Sequence, residues 1–360
     1  MMRVLFVNRF DWSTNIGGDS IQMMKTREFL TKLNVNVDIT TNNLSEIANY
    51  DIIHVFNLMR PTEATIAVRK AKKHRKKIVF SSIFWDFSEF NSIGRNNNRL
   101  YKMLNFLPLF SQEKLKDFIR LKDSNIPVHT ILSSLLTDYK KTLRSVDLFL
   151  PNSDSEGKQV CKFLGFDAPV LTVFNGIDAG VFNFQSANRK KIGVYCARID
   201  PRKNHLNLFK GYSSSKIELY GKIGNLHASY HRYLNDINPG NYDFCGEVAH
   251  NNLAAQLNRA DFHVMPSWLE TPGLAQLEAA ACGCKIISTD RGSARDYFGT
   301  YATYCNPADP TDIALKVQTA RDGSVNRKEL SEFIIDKFSW SVAAEQTKRA
   351  YEFVLEAKTI

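Results

Sequence analysis

The chain has no run of about 18 apolar residues, no G-x-G-x-x-G loop, no internal repeat of fixed period and no low-complexity tract. The first absence excludes a spanning helix. The N-terminus, MMRVLFVNRFDW, turns polar after a strand-length apolar stretch, which excludes a secretory signal, so a cytoplasmic protein is expected. The missing glycine fingerprint argues against a nicotinamide or flavin dinucleotide site, since neither Gly17-Gly18 nor GKIG at Gly221 to Gly224 has the required spacing. Cysteine is sparse. Cys161, Cys196, Cys245, Cys282, Cys284 and Cys305 lie mostly in apolar runs such as GVYCAR and AAACGC, where free, buried thiols are expected. Cys282 and Cys284 have no second pair or histidine cluster at ligand spacing, so no metal site is expected. No nucleic-acid-binding module is recognisable, and nucleic acid is not expected as a partner.

Acidic residues are short at one end. Residues 1–150 hold 23 Lys and Arg against 14 Asp and Glu, whereas the remainder holds 24 against 23, so nearly all of the net +10 lies in the first part. Much of the excess is in Arg69, Lys70, Lys72, Lys73, Arg75, Lys76 and Lys77. More lies in Lys102, Lys114, Lys116, Arg120 and Lys122, around the apolar patch NFLPLF at Asn105 to Phe110. Basic side chains beside aromatics suggest a surface that rests on anionic lipid; the alternative is an ordinary solvated helix face.

At 360 residues with 44% hydrophobic and 23% charged, the chain has room for two globular domains. Short apolar runs alternate with segments of helical period: RVLFVN, a loop and helix from Gly17 to Leu33, VNVDIT, DIIHVFN, a helix from Glu63 to His74, then KIVFSSIFW. That alternation predicts a parallel sheet wrapped by helices. A polar and helical stretch from Asn91 to Leu143 interrupts it and reads as an acceptor-side or membrane-facing insertion, before VDLFLPNS and VLTVFNGIDAGVF resume. A second alternating unit begins at KIGVYCARI and runs through KIELYGKIG, NYDFCGEV, ADFHVMPS, CKIISTD and TYCNP. The expected architecture is α/β, with two doubly wound Rossmann-like domains facing across a cleft. The first spans 1–184 and is completed by about 339–360; the second spans 185–338. The last helix, Ser339 to Ala357, is expected to cross back to the first domain, with Val342, Gln346, Arg349, Ala350, Phe353 and Val354 near one face.

The most informative segment is SWLETPGLAQLEAAACG, Ser267 to Gly283. Pro272 and Gly273 sit where a helix would start, Leu274, Leu277 and Ala281 recur at helical spacing, and Gly283 is a natural stop. The free amides and positive end of such a helix suit a diphosphate, with Glu270 just outside and Glu278 a turn and a half along. Each carboxylate accepts hydrogen bonds from vicinal hydroxyls, so one would reach a sugar and the other a ribose. Two other places agree. The first strand ends in a loop holding Gly17-Gly18 before a helix with Asp19 or Ser20 as expected cap, which brings bare backbone to an anionic ligand. CARIDPRKN places Arg198 and Lys203 just after a strand, at the carboxyl edge of a parallel sheet where ligands bind.

IGGDS, DIIHVFN, LPNSDSE, VFNGIDAGVF, ARIDPRKN, CGEV, MPSWLETPGLAQLEAAACG and FSWSVAAEQ together resemble the GT-B glycosyltransferases of family 4, also called glycosyl transferases group 1, over nearly the full length. The resemblance implies a retaining transfer from a nucleotide-sugar, with no metal and no other cofactor. Arg198 and Lys203 would grip the diphosphate, helped by the amides of Gly17, Gly18, Gly273 and Leu274, with Pro272 at the helix start. Glu278 would bind the ribose, Glu270 the transferred sugar, and the loop through Val248 the base. One departure stands out: many relatives carry a histidine at the end of the strand matching KIVFSSIFWD, where this chain has Trp85 followed by Asp86. Asp86 or Glu89 is then the candidate acceptor contact or base. His54 is a weaker candidate for the same role, and Ala197 replaces the glycine often found before the arginine.

The resulting expectation is an enzyme, peripheral on the inner face of the cell membrane, that adds one sugar to a lipid-linked or polysaccharide acceptor in bacterial-type surface polysaccharide synthesis. The rivals are a soluble glycosyltransferase acting on a small-molecule or protein acceptor, and an inactive nucleotide-sugar-binding partner subunit.

Overall fold

The computed structural model describes residues 1–41, 44–94, 111, 113, 128–186, 188–224, 227–271 and 273–357. Pro272, the NFLPLF patch and Lys102, Lys114, Lys116, Arg120 and Lys122 lie outside the described residues. The chain divides into two compact units. One draws on Met1–Asp86, Met103–Asn175 and Trp340–Ile360, the other on Phe87–Lys102 and Gly176–Ser339.

The first unit is a five-stranded sheet of β1 (Arg3–Val7), β2 (Asn36–Thr40), β3 (Ile52–Phe56), β4 (Lys77–Ser81) and β5 (Leu148–Leu150), in the order β2-β1-β3-β4-β5. Every pair is parallel. All five residues of β3 are buried, as a parallel strand covered on both faces requires. Its described helices are α1 (Gly18–Lys32), α2 (Pro61–Lys73), α3 (Val128–Leu136), α4 (Tyr139–Leu143) and α5 (Asp154–Leu164). The run VLTVF that ends the first unit forms no full strand. Val170 bridges Phe149, and Leu171 and Val173 donate to the carbonyls of Phe149 and Pro151, both at 2.9 Å, so the segment lies along β5 without a full ladder.

Two sequence expectations for this unit are corrected. Gly17, not Asp19 or Ser20, is the N-cap of α1, and Ser20 supports it from inside the helix, its oxygen accepting from Gly17 N at 3.5 Å. Asp19 accepts from Arg9 Nε at 2.6 Å, and the Ser20 hydroxyl donates to the Trp12 carbonyl at 2.8 Å. The final helix, α13 (Trp340–Glu356 once the second unit's helices are numbered), packs on α1 and buries Ala343, Ala344, Thr347, Ala350, Tyr351 and Val354, while Phe353 is 62% exposed. Tyr351 sets the rotation of the helix: its hydroxyl meets His54 Nδ1 at 2.6 Å, and His54 Nε2 meets Ser81 Oγ at 2.9 Å. His54 is therefore a buried anchor of the C-terminal helix, held neutral by burial that pushes its pKa down to about 3.

The second unit has six parallel strands: β6 (Lys190–Cys196), β7 (Ile217–Tyr220), β8 (Tyr242–Gly246), β9 (Ala260–Met265), β10 (Lys285–Thr289) and β11 (Ala302–Cys305), ordered β11-β10-β9-β6-β7-β8. Its described helices are α6 (His205–Gly211), α7 (Ala228–Asp236), α8 (His250–Arg259), α9 (Leu274–Ala281), α10 (Ala294–Phe298), α11 (Pro310–Asp322) and α12 (Arg327–Lys337). The core joins Tyr195, Leu208, Ile217, Leu219, Phe262, Val264 and Ile287. All six cysteines are free; Cys196, Cys282, Cys284 and Cys305 are buried, Cys161 is half-buried and Cys245 is exposed. No helix among the described residues is long and apolar enough to cross a membrane.

Candidate active site

In the second sheet the strand order reverses between β6 and β9, which are hydrogen-bonded neighbours. Chains leaving such a pair diverge to opposite faces, opening a crevice at the carboxyl edge of the sheet where open α/β folds bind ligands. The two loops that rim it are the segments singled out by sequence: ARIDPRKN follows β6 and PSWLETPG follows β9.

The β6 loop is held from several sides. Asp200 caps the turn Pro201–Lys203 by accepting from Arg202 N at 2.9 Å. Asn204 takes a left-handed conformation (φ 60°) and donates from Nδ2 to the carbonyls of Pro266 and Pro307, both at 2.8 Å, binding the exits of β6, β9 and β11 together. Trp268 N donates to the Arg202 carbonyl at 2.9 Å, and the Tyr195 hydroxyl to that of Lys203. On this frame Lys203 Nζ lies 2.6 Å from Glu270 Oε1. Glu270 is only 5% exposed, so the ammonium is the partner that makes burial of the carboxylate tolerable. Arg198, half-buried, makes no hydrogen bond or ion pair with a described residue. Burial raises the Asp200 pKa, but Arg202, Lys203 and Arg198 outweigh it and hold the carboxyl below its ordinary value. The loop thus concentrates positive charge around two buried carboxylates, Asp200 and Glu270.

Glu270 is fixed from behind by the turn after β10. It pairs with Gly292, its amide reaches the Arg291 carbonyl at 3.5 Å, and its carbonyl accepts from Ser293 N at 2.9 Å. Gly292 has φ +94°, and a Cβ there would lie 2.1 Å from the Glu270 carbonyl oxygen, so the pairing needs glycine. Gly273 (φ 75°) caps α9, receiving Gln276 N at 2.8 Å and Leu277 N at 3.2 Å. The Leu274 and Ala275 amides are left outside the helix's own ladder, at its positive end. A Cβ on Gly273 would stand 3.5 Å from Glu270 Oε2, which shows how closely this end approaches the carboxylate. Gln276 locks α9 to the sheet, donating to the Ile287 carbonyl at 3.0 Å and accepting from Ser288 Oγ at 2.8 Å.

Glu278, the fifth residue of α9, meets His250 Nε2 at 3.0 Å. His250 opens α8 directly after the loop carrying half-buried Val248, and its ring stands edge-on to Phe182, centroids 4.6 Å apart. Beneath the loops, His205 stacks on Tyr195 at 4.6 Å and His263 accepts from Cys196 N at 3.3 Å. Burial pushes both imidazoles down to about 3, so they are neutral structural groups.

Arg198, Lys203, Glu270, Gly273, Leu274, Glu278 and Val248 all belong to the second unit. Gly17, Gly18 and Asp86 belong to the first. There the order β2-β1-β3 reverses beside β1, and the loop after β1 carries the two glycines. Arg9 organises that loop, bonding Asp19, Asp11 Oδ1 at 2.8 Å, the Asn15 carbonyl at 2.5 Å and Ser20 Oγ at 3.1 Å. Asp86 is exposed at the end of the segment after β4. Glu89 is committed to Arg291 through two bonds, Oε2 to Nε at 2.7 Å and Oε1 to Nη2 at 2.9 Å. Sequence reading missed His250, Arg291 and Arg9. Only Arg9 left a signal, as a lone cation between a strand end and a glycine loop.

The two parallel-sheet units define the GT-B fold. Sucrose-phosphate synthase from Thermosynechococcus elongatus superposes with a TM-score of 0.74 at 15% identity, covering 99% of this chain and 100% of that one. Anabaena Alr3699/HepE, solved in complex with UDP-glucose, superposes with a TM-score of 0.68 at 14% identity, covering 98% and 100%. Residues 179–335, within the second unit, match the family model described as Glycosyl transferases group 1. A glycogen synthase of Mycobacterium tuberculosis is 25% identical over 232 residues, 58% of this chain and 55% of that protein. The chain thus spans about half the length of the curated relative it matches.

Proposed function

We propose that this protein is a nucleotide-sugar-dependent, retaining glycosyltransferase whose donor is held by the switch-point loops of the second unit. The observation that carries this reading is the Lys203–Glu270 pair at the carboxyl edge between β6 and β9, beside the open end of α9. The domain match and the glycosyltransferase relatives support it, as does a structural neighbour that binds UDP-glucose.

In this proposal Arg198 and Lys203 take the diphosphate together with the Leu274 amide, Glu278 takes the ribose hydroxyls, and Glu270 takes the sugar. Bond breaking leaves an oxocarbenium-like sugar and a diphosphate that gains charge. Fixed cations and amides lower that barrier because they are already oriented when the charge develops. The departing phosphate accepts the proton of the incoming hydroxyl on the same face, which retains the anomeric configuration without a carboxylate nucleophile or a metal. The Gly17–Gly18 loop offers bare backbone for an anion, and Asp86 is the proposed acceptor contact.

The proposed acceptor is lipid-linked or polysaccharide, in surface polysaccharide synthesis. Helix α3 supports a lipid surface: Val128, Leu132 and Leu136 form an exposed stripe, 66%, 46% and 90% accessible. Beside it Arg69 donates to Ser133 and Thr137, so apolar and cationic groups adjoin as an interfacial helix requires. A thermal-shift panel of UDP- and GDP-sugars, followed by assay of nucleoside diphosphate release, tests the donor half; no shift with any donor contradicts it. Flotation with anionic vesicles at low salt tests the membrane half, and a protein that stays at the bottom contradicts it.

A further inference from the structure

Glu89 is a sequence candidate for touching the acceptor, yet both oxygens of its carboxylate bond the Arg291 guanidinium in a two-bond fork. Arg291 also bonds Asp290 and, at 3.4 Å, Asn306 Oδ1, so the guanidinium spans three elements. Its own backbone belongs to the turn that pairs with Glu270: the Arg291 carbonyl accepts from Glu270 N, Gly292 bridges Glu270, and Ser293 N donates to the Glu270 carbonyl. Residues 87–94, which come after β4 of the first sheet, belong to the second unit. They also meet the loop after β9, on the other side of Glu270. Phe90 packs against Trp268 with centroids 6.4 Å apart, and Gly94 leaves no space for a Cβ, which would stand 2.5 Å from the Phe90 ring and 2.7 Å from the Trp268 indole. Trp268 precedes Glu270 by two residues and is 5% exposed.

The residues flanking Glu270 are thus held by 87–94 at two points, an ion-pair fork on the Arg291 side and an aromatic contact on the Trp268 side. We propose that Glu89 is a positioning residue: through Arg291 it fixes the turn that aims the Glu270 carboxylate, so sugar recognition depends on the seating of 87–94. This rests on the reading of Glu270 as the sugar contact. A planar bidentate fork suits the task because it fixes orientation as well as distance, which a single lysine bond does not. The nucleotide is recognised by other groups, Arg198, Lys203, the α9 amides and Glu278. The fork should therefore govern the sugar-dependent part of affinity and leave the nucleotide-dependent part alone.

The test is titration calorimetry with UDP, UDP-glucose, GDP and GDP-mannose on the full chain, comparing wild type, Glu89→Gln, Arg291→Lys and Glu270→Gln. In wild type the sugar-nucleotide binds more tightly than its parent diphosphate, and Glu270→Gln abolishes that increment. Glu89→Gln and Arg291→Lys are each expected to reduce it about tenfold while changing diphosphate affinity less than about twofold, the mark of lost orientation at one subsite. Equal losses for diphosphate and sugar-nucleotide would mean a merely structural role and overturn the proposal. So would a wild-type increment in Glu89→Gln or Arg291→Lys beside a lost one in Glu270→Gln. If wild type has no increment, or Glu270→Gln keeps it, the donor-site reading itself fails and the proposal falls with it.

Discussion

Arg198 and Lys203 carry the same charge in the same loop but are not equivalent as probes. Lys203 neutralises a nearly buried carboxylate, and its removal strands Glu270, at about 3–5 kcal/mol if the pair behaves as buried pairs usually do. Arg198 has no such structural partner among the described residues, so Arg198→Ala should leave the melting temperature nearly unchanged. Its turnover should fall by about 10²–10³, the usual loss of one charge-stabilising donor, as measured by release of nucleoside diphosphate. Glu278→Ala should instead raise the donor KM with a smaller change in kcat, and His250→Ala should follow it in weaker form because Nε2 orients that carboxylate. Glu156 makes a different prediction. Burial raises its carboxyl to about 7 against hydrogen bonds from Ser82, Phe84 N and Asn152 N that favour the charged form. With the folded value above the ordinary 4.5, the folded state holds the proton longer, so this group's contribution to stability declines as pH rises from about 4.5 to about 7. The melting temperature of Glu156→Gln relative to wild type should therefore climb across that window; a flat difference would contradict the assignment.

At the scale of elements, the strands and the donor loops were legible because parallel strands buried on both faces must read as apolar runs, and because helix starts and stops are written in Gly and in spacing. The face of the last helix was not. Its apolar residues spread around the cylinder, and what decides the rotation is one hydrogen bond from Tyr351 to a buried histidine nearly three hundred positions earlier, which no local pattern contains. Helix α1 was misread at its cap because Asp19 and Ser20 are good caps by type but lie inside the helix, Asp19 bonded to Arg9 and Ser20 reaching back to Gly17 N. Partners distant in sequence also explain why His250 and Arg291 went unseen while Arg198, Lys203, Glu270 and Glu278, each inside a motif, stood out as candidates. Two substitutions test the elements. Gly292→Ala forces a Cβ to 2.1 Å from the Glu270 carbonyl at a positive φ and should cost on the order of 2 kcal/mol or more, read by chemical denaturation. Tyr351→Phe should loosen α13, at about 1–3 kcal/mol for the buried imidazole left with one partner, read as faster amide exchange in Trp340–Glu356.

At the scale of the whole molecule, three buried histidines, His54, His205 and His263, are pushed down to about 3 from 6.5 by burial. Each stays neutral in the folded protein but takes a proton when unfolded, so the stability they support is present above about 6.5 and is lost as pH falls toward 3. Melting temperature should therefore drop steeply below pH 6, and replacing any one of them with an isosteric neutral residue should soften the slope. In the proposed function the two sheets divide the chemistry. The order β11-β10-β9-β6-β7-β8 places a switch point under the two conspicuous donor motifs, which makes the second unit the part whose role the sequence states most fully. The first unit announces itself by charge and glycine loop alone, so the proposed acceptor rests on an exposed stripe on α3 and a cationic helix rather than on a motif.

The central claim is that the loops after β6 and β9 hold a sugar diphosphate. A crystal structure of the protein with the nucleotide-sugar giving the largest thermal shift tests it most directly. The account predicts the diphosphate within hydrogen-bond reach of Arg198, Lys203 and the Leu274 amide, the ribose on Glu278 and the sugar on Glu270. A diphosphate bound away from these side chains, with Lys203 and Glu270 touching no part of the donor, would contradict it.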